Sequence, residues 1–441
     1  MFSNRDLARL ILPLFAEQFL IMLVGIADTF IVSYAGEAAV SGVSLVNAFN
    51  TIFIYLFTAL ASGGAVVISQ YIGRRDLDAA SASASQLFTA SLALSSLMMG
   101  LILIAHRPLM GLMFGRVEPA VMDACVVYLR ISAYSYPAIA VYSAGAALYR
   151  SLGRTSTTLY ICAAANVLNV AGNLIGVFVL RAGVAGVAYP SLIARVFSAV
   201  AITLLCFRAK RPVRYQRRWV LRWDRERMRR MLRIAIPNGV ENGVFQLVKV
   251  ALSSVVALFG TYQIAANGIA QSIWSLAALA GVTMGPVFIT VIGQCMGAGD
   301  IDAAERAFKK LLRITLVFSL IWNALVFALT PLLMQAYALE AETKRLVVEL
   351  VLIHNVFNAV AYPLSGPFSD GLRAAGDVRF TMAVCLASTL GARLVFSLLL
   401  GVALGLGVVG IALAMCLDWG IRAGVFLWRF ASRKWQRFTV I

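Results

Sequence analysis

The chain has 441 residues, 61% of them hydrophobic and 13% charged, with a mean hydropathy of +0.85. A soluble domain is ~45–50% apolar and ~25% charged, so the composition excludes an ordinary soluble protein and implies an integral membrane one. The formal net charge of +18 would suggest nucleic acid in a soluble chain; the Lys/Arg bias of cytoplasmic loops is the competing explanation.

The first apolar stretch starts near Arg9 and is too long for the core of a cleaved signal, so a retained first span is expected. Segments of bilayer length, ~20 residues each, fall near 10–34, 43–72, 85–105, 121–148, 158–180 and 184–206. A second set falls near 234–258, 264–296, 311–330, 347–370, 380–400 and 406–428. In lipid every backbone polar group must be satisfied within the segment, so these long apolar runs cross as helices. The expected fold is an all-α integral membrane protein of about twelve transmembrane helices.

Between the spans the charge alternates. One set of loops holds Arg5, Arg9, Arg74, Arg75, Arg150, Arg154, Arg306, Lys309, Lys310, Arg313, Arg373, Arg379, Arg429, Arg433, Lys434 and Arg437. It also holds the central segment "FRAKRPVRYQRRWVLRWDRERMRRMLR". The other set offers only Arg107, Arg116, Arg181, Lys344 and Arg345. That bias places both termini and the central segment in the cytoplasm, at the plasma (bacterial inner) membrane, and removes the need for nucleic acid. The Arg-rich segment reads as a solvated loop that can also meet anionic lipid. The six cysteines are scattered with no C-x-x-C, and read as buried thiols, neither disulfides nor metal ligands.

The sequence repeats. "LPLFAEQFLIML" (12–23) matches "IPNGVENGVFQL" (236–247), an offset of 224 (237 − 13). The same offset carries "GRRDLDAA" (73–80) onto "GAGDIDAA" (297–304) and "GVAGVA" (183–188) onto "GVVGIA" (407–412). "RSLGR" (150–154) aligns with "RAAGD" (373–377) after a one-residue shift. The expected organisation is a first lobe over 1–206, a cytoplasmic linker over 207–233 and a second lobe over 234–441. Six spans per lobe return each to its starting side, so the lobes form a parallel repeat, and rocking one against the other is the mechanical use of such a pair.

A proline-containing first span followed by "DTFIVSYAG", the repeated G-x-x-D-x-D-A-A loops, "LYRSLGRT", "GLRAAGD" and the six-plus-six layout resemble the multidrug and toxic compound extrusion (MATE) family over essentially the whole chain. The resemblance implies export of organic, often cationic, compounds in exchange for Na⁺ or H⁺, with no other cofactor. It implies an amino-lobe ion site made of the first-span Asp28, then Asn169 and Asn173 one turn apart in "NVLNVAGN", and the hydroxyl of Ser191. Asn173 stands where the family commonly has Asp, which removes one negative charge from a Na⁺ site. Glu241 resembles the family's seventh-span acid but lies nearer its proline.

An ionisable group at membrane depth is costly unless it faces a partner or a cavity. Asp28 has no basic residue one turn away, so another helix, an ion or a proton must handle its charge. Glu17 and Glu241 each follow a proline by one turn, where a freed carbonyl and a carboxylate could together ligate Na⁺; a bond across the lobe is the alternative. Lys249 lies ~12 Å along the helix from Glu241 and needs a carboxylate of its own or a neutral state; in a cleft it would suit a zwitterionic cargo. Gln18, Asn242, Asn267, Gln271 and Trp274 complete the candidate cleft lining. Asp418 and Arg422 read as an i, i+4 pair, Arg393 as an internal counter-charge, and His354 as a packed, hydrogen-bonded histidine.

The chain carries no Walker A, G-x-S-x-G or H-E-x-x-H motif, and only two histidines, so neither ATP hydrolysis nor another enzyme activity is expected. The reading is a monomeric H⁺- or Na⁺-driven efflux antiporter of small organic compounds. The rivals are a lipid-linked saccharide flippase of related architecture and a non-transporting membrane scaffold or receptor.

Overall fold

The computed structural model describes residues 2–114, 117–208, 212–220, 222–336, 340–438 and 440–441, so Arg116 and part of the Arg-rich linker lie outside the described residues. All regular structure among them is helical. Eleven helices are long and apolar enough to cross a membrane, and a bent pair supplies a twelfth span. The chain divides into two compact units, Phe2–Ile236 and Pro237–Ile441.

In the first unit α1 (Asn4–Ser33) opens with a capping box, in which Ser3 Oγ accepts from Asp6 N and Ser3 N donates to the Asp6 carboxylate. It is followed by α2 (Glu37–Gly73) and α3 (Leu77–Phe114). The fourth span is broken: α4 (Pro119–Ala133) and α5 (Tyr136–Ser151) meet at 46°. Pro137 sits in the first turn of α5, where its missing N–H costs nothing. Then come α6 (Thr155–Leu174), extended by a π-helical turn at Ile175–Val179, and α7 (Ala185–Cys206). A short α8 (Arg217–Val220) precedes α9 (Arg225–Val256), within which the boundary between units falls.

The second unit continues with α10 (Thr261–Ala277), α11 (Leu279–Gly297) and α12 (Ile301–Ala336). Next are α13 (Ala341–Ser365) and α14 (Pro367–Ala374), separated at Gly366. The last are α15 (Val378–Ala387), prolonged by π-helical stretches to Ala403, and α16 (Gly407–Ala431). Three segments expected as single helices, 121–148, 264–296 and 347–370, are therefore interrupted. Hydropathy marks where a chain crosses lipid, not where its helix bends.

The repeated motifs have local causes. Asp76 and Asp300, the first acids of the two G-x-x-D-x-D-A-A loops, each accept the backbone N–H three residues on and cap α3 and α12. Arg75 and Gly299, just before them, both take left-handed backbone. The second glycines of "GVAGVA" and "GVVGIA", Gly186 and Gly410, mark close helix crossings. A Cβ on Gly186 would lie 2.5 Å from Gly176 O, and one on Gly410 2.6 Å from Gly401 N. Lipid is as apolar as leucine, so helices here are held by such close packing more than by hydrophobic burial.

The linker departs from expectation: it is docked on α3 rather than left in solvent. Arg214 N and Gln216 N donate to Ser81 Oγ and Ser85 Oγ at 3.2 and 2.9 Å. Asp224 N donates to Gln86 Oε1 at 3.0 Å. Val213 and Tyr215 are buried, Tyr215 against Phe88 and Phe207. Ser, Gln and aromatic side chains spaced along α3 carry this contact, and charge counting does not register them.

Candidate functional site: the Asp28 cluster

Asp28 lies near the end of α1, beside α6. Asn169 Nδ2 donates to both its oxygens at 3.0 Å, and Asn173 Nδ2 donates to Oδ1 at 2.7 Å. Ser191 Oγ, on α7, donates to Asn169 Oδ1 at 3.0 Å and so fixes which way that amide points. Asn169 and Asn173 are buried, Asp28 is partly exposed, and Asn173 Oδ1 is buried with no hydrogen-bond partner. The Gly176–Gly186 crossing lets α6 and α7 approach closely enough for Ser191 to reach Asn169. The arrangement sets two amide N–H groups on a carboxylate with no salt-bridge partner among the described residues, and leaves one amide oxygen, Asn173 Oδ1, unbonded beside it.

The four residues that the family resemblance assigned to the amino-lobe site are thus brought together. Glu241 is elsewhere, in the second unit, and its reading as a cation ligand is revised. Arg373 Nη2 donates to Glu241 Oε1 and Oε2 at 2.8 and 2.6 Å, while Arg373 Nη1 donates to Asp370 Oδ1 at 2.8 Å. Glu17 is 1% exposed and is likewise held, by Arg150 at 2.8 Å and by Thr158 Oγ1 at 2.7 Å. A fixed guanidinium on each carboxylate leaves no charge to attract a mobile ion. Neither arginine was singled out as a partner from sequence, because both sit where a span meets a cytoplasmic loop. The signal was present: "RSLGR" and "RAAGD" repeat in near register with the glutamates.

The remaining candidates are dispersed. Gln18 and Asn267 are half-buried. Asn242 bonds to Asn238 on its own helix. Gln271 accepts from Ser275 Oγ through its carbonyl. Trp274 stacks on Trp419 with ring centroids 5.8 Å apart. Lys249 is exposed and forms no ion pair among the described residues, so the expected carboxylate partner is missing. Asp418 pairs with Arg422 at 2.8 Å and also with Arg393 at 3.0 Å. His354 is packed at 1% exposure, but neither ring nitrogen is hydrogen-bonded, contrary to expectation. The six cysteines are free thiols, five of them buried.

Two six-span units of one repeat, with a buried polar cluster on α1, α6 and α7, define the class of a membrane transporter built by duplication. The chain belongs to the MatE family, whose profile matches residues 13–175 and 237–399, two stretches separated by the same 224-residue offset. It is 28% identical to the "Uncharacterized transporter YisQ" of Bacillus subtilis, over 96% of this chain and 93% of that one. It is 23% identical to the "Probable multidrug resistance protein NorM" of Thermotoga maritima, over 99% and 94% of the two. Its fold matches a crystal structure of MATE in the bent conformation, with a TM-score of 0.89 at 21% identity over 98% and 96% of the two chains.

Proposed function

We propose that this chain is a secondary active efflux antiporter, working as a monomer, that exports small organic compounds in exchange for H⁺ or Na⁺. The observation that carries the reading is the Asp28 cluster: a carboxylate held only by neutral amides, beside a buried acceptor oxygen that nothing fills. The coupling cation occupies Asp28 and its amide neighbours, with Asn169, Asn173 and Ser191 as the remaining ligands and supports. Its binding favours one arrangement of the two repeats and cargo binding favours the other, each by its differential affinity for the two states. The name of the Thermotoga maritima relative supports multidrug cargo. The unpaired Lys249 supports cargo with a negative group among the compounds carried. The bias of Lys and Arg supports a bacterial inner membrane location with both termini in the cytoplasm.

The test is ethidium efflux from proteoliposomes with pH and Na⁺ gradients imposed separately. Native protein is expected to respond to one of the two gradients, and Asp28→Asn to fall to the rate of protein-free vesicles. Gradient-driven efflux that survives Asp28→Asn rejects the assignment. Lys249 keeps the lipid-linked saccharide flippase as a second reading; lipid translocation indifferent to both gradients would favour it.

A further inference from the structure

Ser191, which steadies Asn169, has a charged neighbour one turn along α7. Arg195 lies on the same face (i, i+4), and its Nη1 donates to Ser135 Oγ at 2.7 Å. Ser135 is fully buried and donates in turn to Ser132 O at 2.6 Å. It sits in the two-residue break between α4 and α5, at the 46° bend. One helix face therefore holds the Asp28 cluster through Ser191 and the broken span through Arg195.

The charge of Arg195 is unusual in this molecule. Arg150, Arg373, Arg393, Arg422 and Arg429 each meet a carboxylate within 3.0 Å. Among the described residues Arg195 forms no ion pair, and Ser191, one turn before it, leads through Asn169 to the carboxylate of Asp28. Arg195 also acts on the phenols of Tyr128 and Tyr136, on α4 and α5, which are neutral in their ordinary state. Neither charge of the Asp28–Arg195 couple is locked by direct contact, unlike the buried pairs elsewhere in the chain.

We propose that Arg195 is the built-in counter-charge of the Asp28 site: it competes with the incoming cation for Asp28 and, through Ser135, passes the outcome to the break in the fourth span. With Asp28 empty, the couple is neutral and Arg195 is balanced across the site. With a proton or Na⁺ on Asp28, the guanidinium loses its counter-charge and depends more heavily on the Ser135 hydroxyl and the helix break. Arg195 is thus a positioning residue that sets how tightly the cation is held. This inference rests on Asp28 being the coupling site.

The experiment measures ethidium efflux in proteoliposomes against NaCl concentration at fixed pH, with choline as replacement, and against pH without Na⁺. Arg195→Gln keeps a donor for Ser135 but removes the charge. It is expected to move the half-saturating cation concentration down on the order of tenfold, the scale of one charge–charge interaction across a partly buried site. Arg195→Lys is expected to stay near the native midpoint. Ser135→Ala removes the hydrogen bond and keeps the charge, and is expected to lower the maximal rate without lowering the midpoint. An unmoved midpoint in Arg195→Gln overturns the proposal while Asp28→Asn still abolishes coupling; indifference to Asp28→Asn overturns the site itself. If Arg195→Gln does not fold, Asp28→Asn/Arg195→Gln is expected to be recovered, because both members of the couple are gone. Failure of that double variant to regain thermal stability over the single one overturns the proposal as well.

Discussion

The two repeats keep the same scaffold and differ at the site. Each unit buries one glutamate against one arginine, Glu17 with Arg150 and Glu241 with Arg373, at corresponding positions. Each crosses its last two spans at a glycine pair, Gly176–Gly186 and Gly401–Gly410. Around Asp28 the correspondence ends. The 224-residue offset carries Asp28 onto Leu252, Asn169 onto Arg393, Asn173 onto Ser397 and Ser191 onto Met415. Leu252 is part of the second unit's hydrophobic core, and Arg393 is bound to Asp418. The difference teaches that an acid inside a membrane helix is not by itself a functional signal. Glu17 and Glu241 are equally buried in sequence terms, yet their charges are spent on fixed partners. Asp28 has no such partner, and its counterpart in the second unit is apolar.

The largest effect should come from breaking the shared scaffold. Removing one partner of a buried ion pair leaves an uncompensated charge, at a cost of about 3–5 kcal/mol. Arg373→Ala and Arg150→Ala are each expected to reduce thermal stability in detergent by that order, with the greater loss at Arg373, which also holds Asp370. Glu241→Gln/Asp370→Asn/Arg373→Met should regain most of what Arg373→Ala loses, because both acids are neutralised together with the arginine. Equal tolerance of both single variants would show that these pairs do not hold the lobes and would blur their contrast with Asp28.

The glycine crossings come next. Gly186→Ala and Gly410→Ala both force a methyl group against backbone, and overpacking of this kind costs about 1–3 kcal/mol. The expected stability loss is similar in the two units. The functional losses should differ: Gly186→Ala displaces Ser191 from Asn169 and lowers cation-dependent efflux, whereas Gly410→Ala spares it apart from its stability cost. Efflux normalised to folded protein separates the two. Identical functional loss would contradict the asymmetry.

Much of this was legible in the sequence, for reasons that also explain the gaps. Spans, loop bias and the repeat are signals summed over many residues, so they survive local error. Asn169, Asn173 and Ser191 were reached through the family resemblance, since nothing in spacing alone says that α6 and α7 converge on α1. For Glu17 and Glu241 a bond across the lobe was one of two open readings, and the repeated arginines did not decide it because they lie more than 130 residues away and look like loop charges. The helix breaks at Ser135, Ala278 and Gly366 were missed because hydropathy runs straight through them. The docked linker was missed because its arginines hide the contribution of Val213 and Tyr215.

The finest comparison is made by one carboxylate placed in each repeat. Asn173→Asp supplies the acid that the family commonly has, next to Asp28. It removes the 2.7 Å amide bond and sets two carboxylates side by side, so without a cation their repulsion destabilises the unit. With Na⁺ between them the attraction adds, and the apparent Na⁺ affinity is expected to rise on the order of tenfold, measured as the Na⁺ concentration that half-restores thermal stability. Ser397→Asp puts the same group at the corresponding place in the second unit, where Leu252 replaces Asp28 and Arg393 supplies a positive charge. That acid should bind Arg393 and give no Na⁺ response at all. A Na⁺-dependent gain in Ser397→Asp, or none in Asn173→Asp, would mean that the site is not defined by the absence of a direct ion pair on Asp28.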